Sequence, residues 1–297
     1  MKVKSSTFKL HGFEEHSVRA RAVAQVFSIK VFLPVRRTNG SERFPVLYLT
    51  DADDNFGACA SLANALQLTG ESPRFIVVGI GYENPAAAEL LRMRDLLPRD
   101  IRSLYQPAIE KLASSDLTDV EDLTTITGST DAREFLHFIS SELMPFINGR
   151  YPTLPDDNSY FGYSAGGSFG FYTLFSQPDL FRRYILGSPA LTYNGHHFGL
   201  EWAAAFLESR RKLQARIFMS VGELEELHDQ LGAHELVTGY YKMAKFLRRA
   251  KLSGLDLTLR VFPDETHATA WPLAFTHGVR TLMGGVHRTP FWEEGSN

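Results

Sequence analysis

Ser159-Tyr160-Phe161-Gly162-Tyr163-Ser164-Ala165-Gly166-Gly167-Ser168-Phe169-Gly170 decides the reading of this chain. Its centre matches G-x-S-x-G, of which a chain this rich in glycine and serine carries about 0.1 copies by chance. The context adds weight. Ser159-Tyr160-Phe161 reads as a strand end, and Gly167 to Phe175 reads as a tightly packed helix. Strand, sharp turn and helix are what a nucleophile elbow needs, because the glycines admit a strained turn that leaves a serine hydroxyl exposed at the sheet edge. The competing reading is a glycine-rich structural turn.

Outward from this turn, β-like runs occur at Val18 to Val35, Phe44 to Thr50, Arg74 to Ile80 and Tyr160 to Gly162. Others follow at Arg183 to Leu186, Ala215 to Val221 and Leu257 to Phe262. The middle runs, such as Phe75-Ile76-Val77-Val78, are almost continuously apolar, as strands covered on both faces are. Amphipathic, helix-length segments lie between them at Asp131 to Asn148, Ala203 to Leu213, His234 to Leu252 and Thr269 to Met283. This alternation predicts an α/β fold with a mostly parallel central sheet, helices on both faces and ligands at the carboxyl ends of the strands. No repeat or linker divides the chain, so residues 1–297 are expected to form one domain. The segment Asp100 to Thr127 fits the alternation poorly. Two readings stand for it: an insertion forming part of a lid, or a surface loop with one short helix.

A serine hydroxyl needs a general base, usually histidine, oriented by an acid. In the chain order of the elbow fold both follow the serine. His267, just beyond the last strand, is the best-placed base; His228, His234, His277 and His287 read as surface residues. After the strand ending at Val221 and Gly222 stand Glu223, Glu225 and Glu226, which the spacing does not rank. An oxyanion hole needs two backbone amides. One is that of Ala165, and the other is expected from the loop Thr50-Asp51-Ala52-Asp53-Asp54-Asn55. That acidic loop lacks the spacing of a calcium site, and no metal or cofactor is expected.

With these residues in view the chain resembles the esterase D and enterobactin-type siderophore esterase branch of the α/β-hydrolases. The likeness runs through Phe44 to Ala52, Val78 to Tyr82, Arg92-Met93-Arg94-Asp95-Leu96-Leu97-Pro98 and Phe138 to Ile147. It continues through Gly162 to Gly167, Gly187 to Leu191 and Thr266-His267. The resemblance implies an α/β-hydrolase with Ser164 as nucleophile, His267 as base and amides near Ala52 and at Ala165 as the oxyanion hole. It selects Glu225 as the acid, with Glu223 next. Ala52 stands where relatives carry the glycine of an Asp-Gly turn, and the 100–127 segment looks longer than in close relatives. The resemblance also implies a serine carboxylic-ester hydrolase, most closely one cleaving a trilactone siderophore. Acyl transfer, small-ester or thioester hydrolysis, and a non-catalytic binder are the alternatives. Arg92, Arg94, Tyr163 and His197 are the expected substrate-binding residues. For Arg92 and Arg94 the role is reception of an anion such as a ferric catecholate, with a structural Arg94–Asp95 ion pair as the competing reading. His196-His197 line the pocket mouth in this reading, without metal-ligand spacing.

Composition bounds the partners. With 31 Lys+Arg against 34 Asp+Glu, the net charge of −3 offers no footprint for nucleic acid or an anionic membrane. The 44% hydrophobic and 22% charged residues are ordinary for a globular chain. One cysteine, Cys59, excludes an intrachain disulfide. No apolar run of spanning length and no apolar signal core follows Met1, so the expectation is a cytoplasmic enzyme with a small-molecule ester substrate. Phe291-Trp292 reads as a docking element or as an ordinary surface aromatic pair, and the sequence leaves the oligomeric state open.

Overall fold

A computed structural model of the chain describes residues 12–34, 42–84, 87–113, 131–210, 212–227 and 231–284. Among these, eight strands form one sheet: β1 (Phe13–Ala20), β2 (Gln25–Phe32), β3 (Phe44–Leu49), β4 (Ile76–Tyr82), β5 (Thr153–Tyr163), β6 (Arg183–Gly187), β7 (Lys212–Gly222) and β8 (Ser253–Phe262). Their order is β1-β2-β4-β3-β5-β6-β7-β8. The β1–β2 and β2–β4 pairs are antiparallel and every later pair is parallel.

Period-two geometry explains why the central strands are apolar throughout. Val46, Tyr48, Ile76 and Val78 point to one face, and Leu47, Leu49 and Val77 to the other. Two helices cover the second face. In α1 (Ala52–Leu68) the covering residues include Phe56, Cys59 and Ala63; in the C-terminal helix (His267–Leu282) they include Ala274 and Val279. The first face is covered by α2 (Ala88–Leu96), a helical stretch from Ala132 to Arg150, α7 (Ala165–Ser176), α8 (Phe198–Ser209) and α9 (Leu236–Ala250). The C-terminal helix is therefore α10. Both faces of the central strands β3 and β4 are buried, and the strands' carboxyl ends are left for chemistry.

The helical stretch 132–150 opens with a capping box, in which Asp131 accepts from Arg133 N at 2.8 Å and Glu134 accepts from Asp131 N at 3.0 Å. It runs as α5 (Ala132–Phe138), one π turn (Ile139–Leu143) and α6 (Met144–Arg150). Pro145, lacking an N–H, follows the π turn, where the regular ladder would need a donor.

Three local expectations are corrected. The single run Val18 to Val35 is two strands around a tight turn, with Ala24 at φ 54°; Val35 lies outside the described residues. Ala52 to Asn55, read as loop, open helix α1. Its buried side is made largely of small residues such as Ala52, Cys59, Ala60 and Ala63, so its apolar period is faint in the sequence. The segment that fitted the alternation poorly forms α3 (Arg99–Arg102), a 3₁₀ turn (Ser103–Tyr105) and α4 (Gln106–Ala113). Ile101, Tyr105 and Ile109 join the main core, so this part is packed down, not a free lid. The remainder to Thr127, together with His228, His287 and Phe291-Trp292, lies outside the described residues.

Candidate active site

The chain leaves β3 to form β4 on one side and returns to form β5 on the other, so the crevice between β3 and β5 is the topological switch point of the sheet. Ser164 follows β5 at this point. Its backbone, at φ 57° and ψ −120°, lies in a region that L-residues rarely enter and that costs about 1–3 kcal/mol. The turn is held by Ser164 N donating to Gly187 O at 3.0 Å and by Ser168 N and Ala190 N donating to Ser164 O at 3.0 and 3.3 Å. A Cβ at Gly162 would meet the carbonyl of Gly166, and one at Gly166 would lie 2.5 Å from Thr50 Oγ1. Both glycines of the motif are therefore steric requirements. Gly162→Ala is expected to cost about 1–3 kcal/mol by overpacking against backbone. It should lower both the melting temperature and hydrolysis of any ester; wild-type values of both would contradict this account of the elbow.

Across the sheet, His267 is the first residue of α10, after the Thr266 cap. Its Nδ1 lies 2.8 Å from Glu225 Oε2. Glu225 is fully buried, and its other oxygen accepts from Gly222 N at 2.6 Å and from Ser188 Oγ at 2.5 Å. A buried carboxylate without partners is costly, so these donors fix where its free lone pairs can point. Tyr163 OH donates to His267 O at 2.8 Å and lies 3.4 Å from Glu225 Oε1, with its ring 4.8 Å from the imidazole. Burial first, and then the Glu225 charge, pushes the Tyr163 phenol well up, so it remains a donor. The acid and histidine loops are tied by Glu223 N to Phe262 O at 2.9 Å and Leu224 N to Glu265 O at 3.0 Å.

The three carboxylates after β7 separate by environment. Glu223 is exposed and accepts from Asp264 N at 3.2 Å, which fastens a turn. Glu226 accepts from Thr238 N and Oγ1 in the first turn of α9, where a helix leaves free N–H groups. Glu225 alone of the three meets His267.

Tyr163, expected at the substrate, is instead 7% exposed and braces the histidine and acid from beneath. Arg94 is corrected more sharply. It is 2% exposed and pairs with the fully buried Asp95 at 2.7 and 2.9 Å, with Tyr82 OH also donating to Asp95 at 3.2 Å. Burial pushes the Asp95 carboxyl up while Arg94 opposes it. This is the structural ion pair, and it presents no surface to a substrate. Arg92 Nε lies 2.6 Å from Asp51 Oδ1, and its Nη1 lies 3.4 Å from Glu89. His197 sits between Thr192 at 2.8 Å and Lys242 at 2.5 Å, on the side where α8 meets α9. Its neighbour His196 pairs with Glu201 at 2.8 Å.

The side chains that sequence reasoning missed are Ser188 and His234. Ser188, with φ 41°, lies in the Gly187 to Leu191 stretch of the family likeness, but nothing local says that its hydroxyl reaches Glu225. His234 was expected at the surface. Its ring instead packs on Tyr193 at 5.2 Å and Tyr105 at 6.0 Å, and its Nδ1 is buried without a hydrogen bond among the described residues. Burial, and then the nearby His267 and Arg92, lower its basicity. Tyr105 and Tyr193 stack at 4.4 Å beside it. No group of three or more metal-ligating side chains occurs among the described residues.

Three comparisons bear on this arrangement. The family profile described as Putative esterase matches residues 116–282. The chain is similar to the ferri-bacillibactin esterase BesA of Bacillus subtilis (strain 168), with 27% identity over 290 residues, 94% of this chain and 92% of that one. The BES protein from Bacillus cereus superposes with a TM-score of 0.75 at 20% identity, covering 96% of this chain and 100% of that one. The siderophore hydrolase EstB from Aspergillus nidulans also superposes with a TM-score of 0.75 at 20% identity, covering 95% and 98%. These structural likenesses establish a shared fold.

Proposed function

This chain belongs to the Putative esterase family and is an ester hydrolase of α/β-hydrolase fold; from that premise we propose that Ser164, His267 and Glu225 carry its chemistry and that its substrate is a siderophore ester, most closely a trilactone. The observation that carries the reading is the 2.8 Å bond from His267 Nδ1 to the buried Glu225, on the same strand-end face as the strained Ser164.

In this reading Ser164 Oγ attacks the ester carbonyl as His267 Nε2 takes its proton. The ester C–O bond breaks, the alkoxide leaves with that proton, and water repeats the sequence to free the acid and restore the serine. Glu225 orients the imidazole and stabilises its charged form, offsetting the unfavourable position of a cation at a helix N-terminus. The oxyanion hole is assigned to the amides of Ala165 and Ala52. Each is the first residue of a helix, α7 and α1, where N–H groups have no partner within the helix and the dipole favours negative charge. Asp51 and Thr50, just before α1, lie against Gly166, just after the serine, so the two helix ends converge.

The substrate class is supported by the relative whose name specifies a ferri-bacillibactin esterase. Among the described residues no helix is long and apolar enough to cross a membrane. The proposed compartment is the cytoplasm, where ester cleavage would loosen iron from an incoming ferric siderophore.

The test is hydrolysis of a trilactone siderophore, iron-loaded and iron-free, in parallel with a short p-nitrophenyl ester. Trilactone cleavage with kcat/KM at least about tenfold above that of the p-nitrophenyl ester is expected. The reverse ranking would make the protein a small-ester hydrolase, and product transfer to an added alcohol in preference to water would make it an acyltransferase.

A further inference from the structure

Arg92 has an occupation that anion reception does not explain. Its Nε lies 2.6 Å from Asp51 Oδ1 and its Nη2 lies 3.4 Å from Asp51 Oδ2, so the guanidinium forks onto a single carboxylate. A third N–H, on Nη1, faces Glu89 at 3.4 Å. One cation thus stands between two carboxylates, and the group carries no formal positive excess with which to draw an anion. Asp51 is the residue immediately before α1, and its backbone is left-handed at φ 60° and ψ 38°. L-residues other than asparagine and aspartate seldom hold that conformation, and it turns the chain from β3 into the helix. The Asp51 carboxylate also lies against the elbow: its Oδ2 is 3.0 Å from where a Cβ of Gly166 would be. On the far side of the same helix start, Asp53 is fixed by Lys30 Nζ at 2.6 Å and by Tyr82 N at 2.7 Å.

We propose that Arg92 is a positioning residue of the oxyanion hole: by clamping the Asp51 carboxylate it holds the left-handed turn that presents the Ala52 amide to the reacting carbonyl. The inference rests on the assignment of Ala52 as an oxyanion donor and deepens it. It accounts for why Asp51, 9% exposed at its side chain, is sequestered by an arginine from a different segment, 41 positions along the chain. It also accounts for the alanine at residue 52. Once Asp51 itself makes the left-handed turn, the next residue starts a helix and needs no glycine. Lysine is not an equivalent, because an ammonium cannot fork onto both oxygens of the carboxylate.

Removal of one oxyanion donor costs about 10²–10³ in kcat, and a donor left in place but poorly aimed should lose part of that. The experiment measures kcat and KM for wild type, Arg92→Gln, Arg92→Lys, Asp51→Asn and the Arg92→Gln/Asp51→Asn double variant. Two esters are used, neutral p-nitrophenyl butyrate and anionic p-nitrophenyl hemisuccinate, with melting temperature and Ser164 labelling by a fluorophosphonate recorded in parallel. The expected result is a fall in kcat of about 10- to 100-fold in Arg92→Gln, equal for the two esters, with KM within about threefold. Asp51→Asn should match it, the double variant should be no worse than the poorer single one, and Arg92→Lys should recover part of the rate. A rise in KM confined to the anionic ester, with the neutral ester unaffected, would overturn the proposal and make Arg92 an anion receptor. Wild-type kcat in Arg92→Gln would overturn it as well. If Arg92→Gln fails to fold, Arg92→Lys decides, because the same kcat-against-KM split applies to it. Absence of Ser164 labelling in the wild-type protein would instead defeat the serine-esterase reading on which the inference stands.

Discussion

Ser164→Ala is expected to lower kcat by at least about 10⁴-fold on every ester that the wild-type protein hydrolyses, with the melting temperature shifted by no more than about 2 °C. The two halves of this expectation have separate causes. Alanine keeps the Cβ and so inherits the same strained backbone at φ 57°, and the hydrogen bonds that hold the turn run through the Ser164 amide and carbonyl, which the substitution leaves in place. In the proposed mechanism the hydroxyl is the atom that forms the acyl-enzyme, and alanine lacks it. What survives should be the contribution of the oxyanion hole and of binding, about 10³-fold over the uncatalysed reaction. Steady-state rates, a melting curve and loss of fluorophosphonate labelling check the expectation together. Retained turnover in a folded Ser164→Ala protein would remove Ser164 from the mechanism.

Glu225→Gln should come next, with kcat lowered by about 10³–10⁴-fold and stability by about 1–3 kcal/mol. The reasoning is one of donors and acceptors. Glu225 accepts on both oxygens: from Gly222 N and Ser188 Oγ on one, and against His267 Nδ1 on the other. A glutamine side chain there would have a single carbonyl to offer. With that oxygen toward the Gly222 amide, its NH₂ faces Nδ1, forcing the histidine into the tautomer whose Nε2 carries the proton and is no base. With the amide reversed, the NH₂ opposes the buried Gly222 N–H. Either orientation loses activity, stability or both. Glu223→Gln, on an exposed residue that fastens a turn, should change kcat by less than about threefold. If Glu223→Gln were the more damaging change, the acid would have to be reassigned to that position.

Much of the architecture was legible because it is local. The apolar run Phe75-Ile76-Val77-Val78 announces a strand buried on both faces, and the amphipathic segment Asp131 to Asn148 announces helix. The glycines around Ser164 announce the elbow, and the candidate base and acid, His267 and Glu225, follow it in chain order. Helix α1 was illegible because its buried side is built largely of small residues, so periodicity carries little contrast against a polar surrounding such as Asp53, Asp54 and Asn55.

The roles of charged and hydroxylic side chains divide along the same line. Sequence alone offered three glutamates after β7. It also offered an Arg-x-Arg-Asp segment with two competing interpretations, and a tyrosine and a histidine set down as substrate contacts. Folding sorted them. Glu225 is buried and bonded to His267, Arg94 is sealed onto Asp95, Tyr163 lies beneath the histidine, and Arg92 reaches back to Asp51. Strand, helix and turn preferences are set by each residue's own backbone and its neighbours within a few positions, so they can be read along the chain. Which carboxylate loses its water and which cation it then meets depends on segments 40 or more positions apart, brought together when the parallel sheet aligns its strand ends. The candidate nucleophile could therefore be named from twelve consecutive residues, whereas ranking the three glutamates without the family resemblance, and seeing Arg92 on Asp51, required the fold.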